Sequence, residues 1–202
     1  MARAVKAPST YRQHQAAATK QRIADSARRL FAADGFGATS MEAIAAEAGV
    51  AVRTVYAAFG AKREIVSFIC EQWLARARAR ERAEEVFAEP DPRRRLRAAA
   101  QWLTELYGAG FDVVEILDAA TDDSPQTREL MRAKLAGRNH VMDAMIASLV
   151  DHLVVPLPEA QAVYRALAAP GVYRELVIDC GWSSTQFAQW CAEALERHLL
   201  SR

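Results

Sequence analysis

The sequence predicts an all-α protein in which a small three-helix head feeds a larger helical body, and three observations carry that prediction. Residues 39–59, TSMEAIAAEAGVAVRTVYAAF, have the spacing of two short helices joined by a tight turn. Elsewhere apolar residues recur three and four apart between Pro and Gly breaks, with no convincing alternating strand pattern. A length of 202 residues with 51% hydrophobic content suffices for a head and a separate, larger core.

Residues 1–18 carry Arg3, Lys6, Arg12 and His14 among Ala, Pro, Ser and Gln without a helical apolar stripe, and read as a disordered basic arm. Such an arm either reaches into a minor groove or is an untethered tail with weak nonspecific attraction for DNA. It lacks the continuous apolar segment of a signal peptide, and no later stretch is apolar enough to span a membrane, so a cytoplasmic location is expected.

The head, residues 19–66, opens with a helix whose Ile23, Ala27, Leu30 and Phe31 form one stripe, ended by Gly35-Phe36-Gly37. Thr39, with Glu42 three residues on, is a capping box that starts a second helix near Ser40. Ile44 and Ala48 form its inner face, Ala45 lets another helix approach closely, Gly49 supplies the positive φ that ends it, and Val50 plugs the corner. A third helix follows from Val52 to Phe59, with Val55 and Phe59 inward and Arg53, Thr54 and Ala57 outside. This is a helix-turn-helix pattern, whose second helix faces the DNA major groove. An ordinary helical hairpin uses similar residues singly; here cap, small residue, corner glycine and apolar positions agree at once.

The body, residues 67–202, continues a connector helix opened by Lys62-Arg63-Glu64 through Trp73 and into a mixed-charge run, Arg76 to Glu85, that reads as a solvated face. Asp91-Pro92 and Ser124-Pro125 each restart a helix, proline being favoured in the first turn. The second of these carries Met131, Leu135, Met142, Met145, Ile146, Leu149 and Leu153 near one stripe. Ser183 and Gln186 form another capping box, with Trp182 placed to staple onto Phe187 and an amphipathic helix to His198 behind it.

Charge divides the chain the same way. Residues 1–63 hold ten Lys and Arg against four acids, a net +6, which leaves −5 on the remainder of a chain whose total is +1. A basic head supplies the salt-sensitive part of DNA attraction and an acidic body keeps the rest off the phosphates. Any single base, Arg28 and Arg29 included, reads equally as a solvated face.

Residues Ile23 to Phe36, Thr39 to Gly49 and Val50 to Ile65, about a fifth of the chain, resemble the TetR family of bacterial transcriptional repressors. The resemblance implies double-stranded operator DNA as a partner, bound through a set made of Thr39, Ser40, Val52, Arg53, Thr54, Tyr56 and Lys62. Within it Thr39 and Lys62 look like phosphate contacts, Arg53 and Thr54 like base readers, and Tyr56 like the aromatic packed on the sugar-phosphate backbone. Ala57 and Ala58 depart from the family, where many relatives carry a bulky or polar residue beside the Tyr. The resemblance also implies a homodimer through the C-terminal helices, and residues Val163 to Leu195 are similar to a C-terminal tail seen in part of the family.

A regulator needs a second site, and the middle of the body is where an apolar pocket is expected, lined by Trp102, Leu106, Tyr107, Phe111, Leu117, Met131, Met142 and Met145. Each also reads as plain core; together they suit a hydrophobic or aromatic effector. The rival reading as an enzyme finds no nucleophile elbow, Cys-His pair, H-E-x-x-H or phosphate-cradling glycine loop, so neither catalytic residues nor a cofactor are expected. His140 with Asn139 and Asp143 could serve a ligand or metal, a satisfied lone histidine being the simpler reading, and no metal is expected. Cys70, Cys180 and Cys191 read as buried reduced thiols. A helical small-molecule-binding protein without DNA recognition is the other alternative.

Overall fold

A computed structural model describes residues 10–201, and among them the fold is helical, with one isolated bridge, Leu153 to Leu200, as its only β pairing. The head comprises α1 (Thr10–Asp34), α2 (Met41–Glu47) and α3 (Val52–Phe59), followed by the connector α4 (Lys62–Arg76). The body continues with α5 (Ala79–Ala88), α6 (Pro92–Gly108), α7 (Phe111–Ala120), α8 (Pro125–Ala147), α9 (Leu157–Leu167), α10 (Pro170–Tyr173) and α11 (Ser184–Leu199). A 3₁₀ turn at Val150–His152 and a π-helical turn at Arg174–Asp179 complete it.

Three departures from the sequence reading have physical causes. The basic arm is helical from Thr10 onward, with the side chains of residues 11–18 exposed. An Ala- and Gln-rich stretch has high intrinsic propensity and propagates the packed helix without burying anything. The rest of the arm, residues 1–9, lies outside the described residues. The connector breaks at Ala77–Arg78, where Arg78 adopts φ 49° and α5 turns onto α6, burying Val86 and pairing Arg82 with Glu105. The α8 stripe stops at Ala147, and Leu135, expected on it, is exposed.

The predicted restarts hold: Asp91 caps α6 by accepting from Arg94 N at 2.8 Å, and Ser124 and Ser183 cap α8 and α11 likewise. Trp182, expected to staple onto Phe187, packs edge-on against Trp190 at 6.0 Å. The body core runs as an aromatic chain from Phe111 through Tyr107 and Tyr173 to Phe187, with centroids 5.0 to 5.7 Å apart. Cys70 and Cys191 are buried as expected, burial pushing the Cys191 thiol up to about 12. Cys180 is instead exposed, because it sits in the turn that Gly181 ends at φ 72°.

Head and body meet at one joint. Arg28 of α1 donates Nε and Nη2 to the two carboxylate oxygens of Asp112 on α7, both at 2.6 Å, a bidentate charge-assisted pair. Trp73 of α4 donates Nε1 to Leu106 O at 3.1 Å and lies flat against Gly110, where an added Cβ would stand 2.8 Å from Trp73 Cδ1. At the far end of α7, Asp123 Oδ1 is 3.5 Å from Lys62 Nζ.

Two outcomes follow from this joint. Gly110→Ala overpacks it and destabilises the protein by about 1–3 kcal/mol, seen as a lower denaturant midpoint at unchanged slope. The Arg28 guanidinium, chiefly by its hydrogen bonds, holds the Asp112 carboxyl below the usual range. A depressed folded-state pKa stabilises above the unfolded value, about pH 4, and that stabilisation is lost as pH falls through the folded value. The melting-temperature deficit of Asp112→Asn is therefore constant from pH 5 to 8 and shrinks in acid.

Candidate nucleic-acid interface

The corner between α2 and α3 is built by backbone bonds the sequence dictates. Val50 N bonds Ala45 O at 3.0 Å and Gly49 N bonds Ala46 O at 3.1 Å, with Gly49 at φ 63°, a Schellman ending. The positive φ excludes most other residues here. The helix α3 then docks through Val55 and Phe59, both buried along with Ile44 and Ala45 of α2, and ends at Gly60, φ 73°.

That docking leaves one side of α3 outward. Arg53 and Ala57 are exposed, Val52 and Thr54 half-buried, and Tyr56 is 48% exposed with its ring free of the core. Of the residues expected outside, Arg53 and Ala57 are exposed and Thr54 is half-buried, and Tyr56 joins them on the outer surface of this short helix. Ser40 is exposed at the start of α2 and is its N-cap, its Oγ accepting from Ala43 N at 3.1 Å.

Two of the residues expected at phosphates have hydrogen-bond partners within the head. Thr39 is 4% exposed and its hydroxyl donates to Gly35 O at 2.8 Å, so it ties the α1–α2 loop and leaves the capping to Ser40. Lys62 turns inward: its Nζ donates to Phe36 O at 2.7 Å, Thr39 O at 3.2 Å and Gly37 O at 3.4 Å, and stands 4.2 Å over the Phe36 ring. Loop carbonyls left without helix partners need a donor, and an ammonium with three hydrogens at the start of α4 supplies it. Lys20 is likewise engaged, over the rings of Phe59 and Phe68 at 5.0 and 4.7 Å, and Arg29 pairs with Glu47 at 2.9 Å. Sequence spacing carries no signal for these three, since each depends on contacts between distant segments.

The eight residues expected around an effector lie in or against one continuous core. Tyr107 and Phe111 meet edge-on at 5.7 Å; Tyr107 donates its hydroxyl to Ala168 O at 2.7 Å and accepts from Arg138 Nη2 at 3.1 Å. Met131, Met142 and Met145 are buried; Trp102, Leu106 and Leu117 are half-buried. Trp102 Nε1 is buried without a hydrogen-bond partner among the described residues. Two open clefts lie elsewhere: about 410 Å³ between α6 and α11 beside Arg97, Gln101 and Gln189, and about 220 Å³ beside Lys20, Glu64 and Glu71. Beside His140, Asp143 is taken by Arg165 and Asn139 by Arg138.

Residues 23–67 match the family model of the bacterial regulatory proteins of the tetR family. No curated protein matches the chain significantly. Among solved structures, the TetR family transcriptional regulator PfmR of Thermus thermophilus superposes at TM-score 0.70 with 22% identity, over 90% of this chain and all of that one. The transcriptional regulator FadR of Bacillus subtilis, in complex with stearoyl-CoA, gives 0.71 and 16% over 87% of this chain and 96% of that one. A Saccharomonospora viridis protein described as a transcriptional regulator, in complex with choline, gives 0.70 and 20% over 92% and 100%.

Lys62→Ala removes the charged donor from its carbonyls and costs about 1.5–3 kcal/mol of stability, read as a lowered melting temperature. Arg53→Ala, on the exposed face, stays within about 0.5 kcal/mol of the parent. Residues 23–67 thus carry the helix-turn-helix of the tetR family model, and the chain as a whole has the fold of these transcriptional regulators.

Proposed function

We propose that the protein is a ligand-responsive repressor that binds a palindromic operator as a homodimer in the cytoplasm, its head (19–66) reading DNA and its body (67–202) sensing and dimerising. The observation that carries this reading is the outward face of α3, where Arg53 and Tyr56 are exposed and Thr54 half-buried on a helix whose opposite side is buried. Arg53 makes the base-edge contact, Thr54 the neighbouring one, and Tyr56 packs on the sugar-phosphate backbone; Ser40 and Val52 flank them. Eight residues read too few base pairs for specificity alone, so two heads about 34–36 Å apart on an inverted repeat supply it.

Dimerisation through the C-terminal helices is supported by apolar surface left there. Ile178, in the π-helical turn before α11, is 55% exposed, and Trp182 and Trp190 meet edge-on near the start of α11, each half-buried. An effector site among α6, α7 and α8 is supported by Trp102, whose unpartnered indole N-H seeks an acceptor beside apolar neighbours. A hydrophobic or aromatic molecule carrying one acceptor oxygen suits it. The stearoyl-CoA of one structural neighbour and the choline of another show this fold holding chemically unlike ligands. The empty protein holds the operator and the occupied one releases it.

The test is selection from a randomised duplex library at physiological salt, with Tyr56→Ala protein in parallel. The parent enriches an inverted repeat and the variant does not; a folded parent that enriches nothing leaves the alternative, a ligand-binding protein without DNA specificity. On the selected duplex, Arg53→Ala costs about 1–3 kcal/mol and relaxes preference at one position per half-site. Trp102→Ala changes the concentration of effector that releases DNA while operator affinity in its absence stays near the parent's.

A further inference from the structure

We propose that Asp112 and Asp123, at the two ends of α7, are positioning residues that fix the DNA-binding head on the body and thereby set which half-site spacing the dimer accepts; this rests on the dimeric reading above. Each acid belongs to the body and each takes a base from the head. Asp112, in the first turn of α7, holds Arg28 of α1 through two 2.6 Å hydrogen bonds, and Asp123, three residues past its end, faces Lys62 at the start of α4 at 3.5 Å. The four side chains are only 19–38% exposed, so salt screens them less than it screens an open surface pair.

Two attachments do what one cannot. Alongside α4 and its Arg76–Asp25 pair at 3.6 Å, a pair at each end of a ten-residue helix, about 15 Å long, resists rotation of the head about that helix. Lys62 is also bonded to the carbonyls of Phe36, Gly37 and Thr39, so Asp123 grips the loop that leads into α2 as well as α4. Beside the first pair, the missing side chain of Gly110 lets Trp73 close on the start of α7. The same helix begins at Phe111, whose ring packs on Tyr107 and Tyr173 of the body core, so a repacked core displaces the acid beside it.

The experiment uses the full chain and duplexes carrying the selected inverted repeat at its native spacing or with the centre lengthened or shortened by a base pair, plus a duplex with one half-site. The parent prefers the native spacing. Asp112→Asn with Asp123→Asn keeps the parent's affinity for the single half-site but loses its spacing preference by about tenfold, equivalent to 1.4 kcal/mol. Asp123→Glu, which keeps the charge, retains the preference. If the double variant does not fold, each single Asn variant loses part of the preference. A folded double variant as selective as the parent overturns the inference while leaving the dimeric reading intact. A parent that enriches no inverted repeat removes both.

Discussion

An eight-residue helix does not hold itself in water, because nucleation fixes several residues for each hydrogen bond gained and so short a helix never recovers that cost. The reading face of α3 therefore exists only through its buried side. Val55 and Phe59 dock on α1, α2 and α4, and the Schellman bonds at Gly49 fix the angle at which α3 leaves α2. Everything exposed on α3 inherits its position from what is hidden. This is why small residues such as Ala45 and Ala48 matter as much as Arg53: a larger side chain in that seam tilts the helix before it touches DNA.

That seam was readable in the sequence because it is local. The corner glycine, the stripe from Ile23 to Phe31 and the α3 boundaries at Val52 and Phe59 each follow from spacing within one turn or two, and the structure places them as read. What spacing could not carry is a choice between near-equivalent neighbours, or a contact between distant segments. Thr39 and Ser40 are both capping residues; Ser40 won because Thr39, with its extra methyl, was drawn inward to Gly35 O. The hydrogen bonds of Lys62 to loop carbonyls more than twenty residues away likewise have no signal in local spacing. The arm illustrates the same limit from the other side: lack of an apolar stripe excludes burial, not helix, and Ala-rich residues extended α1 to Thr10.

In the body the elements were legible and their use was not. Pro at the first turn and Ser or Asp at the cap fix where α6, α8 and α11 begin, since those signals act on the chain locally. Whether Tyr107 or Met145 lines a cavity or fills a core depends on how α6, α7 and α8 pack, and apolar residues suit both. The one residue that separates the alternatives is Trp102, because a buried indole N-H without an acceptor is costly in a plain core and useful beside a ligand.

The opposed charges of head and body have two uses in this frame. Residues 1–63 carry a net +6, but Arg28 and Lys62 are paired with Asp112 and Asp123 of the acidic remainder. Such pairing lowers the number of free cations for phosphate, so on the proposed DNA-binding reading the salt dependence is shallower than the charge count alone implies. In exchange the head is held by pairs that ordinary ionic strength screens weakly. A regulator of this kind gains more from the second use than it loses from the first. Nonspecific phosphate attraction favours every site on a chromosome equally, whereas a head held at one angle favours only duplexes whose half-sites match it.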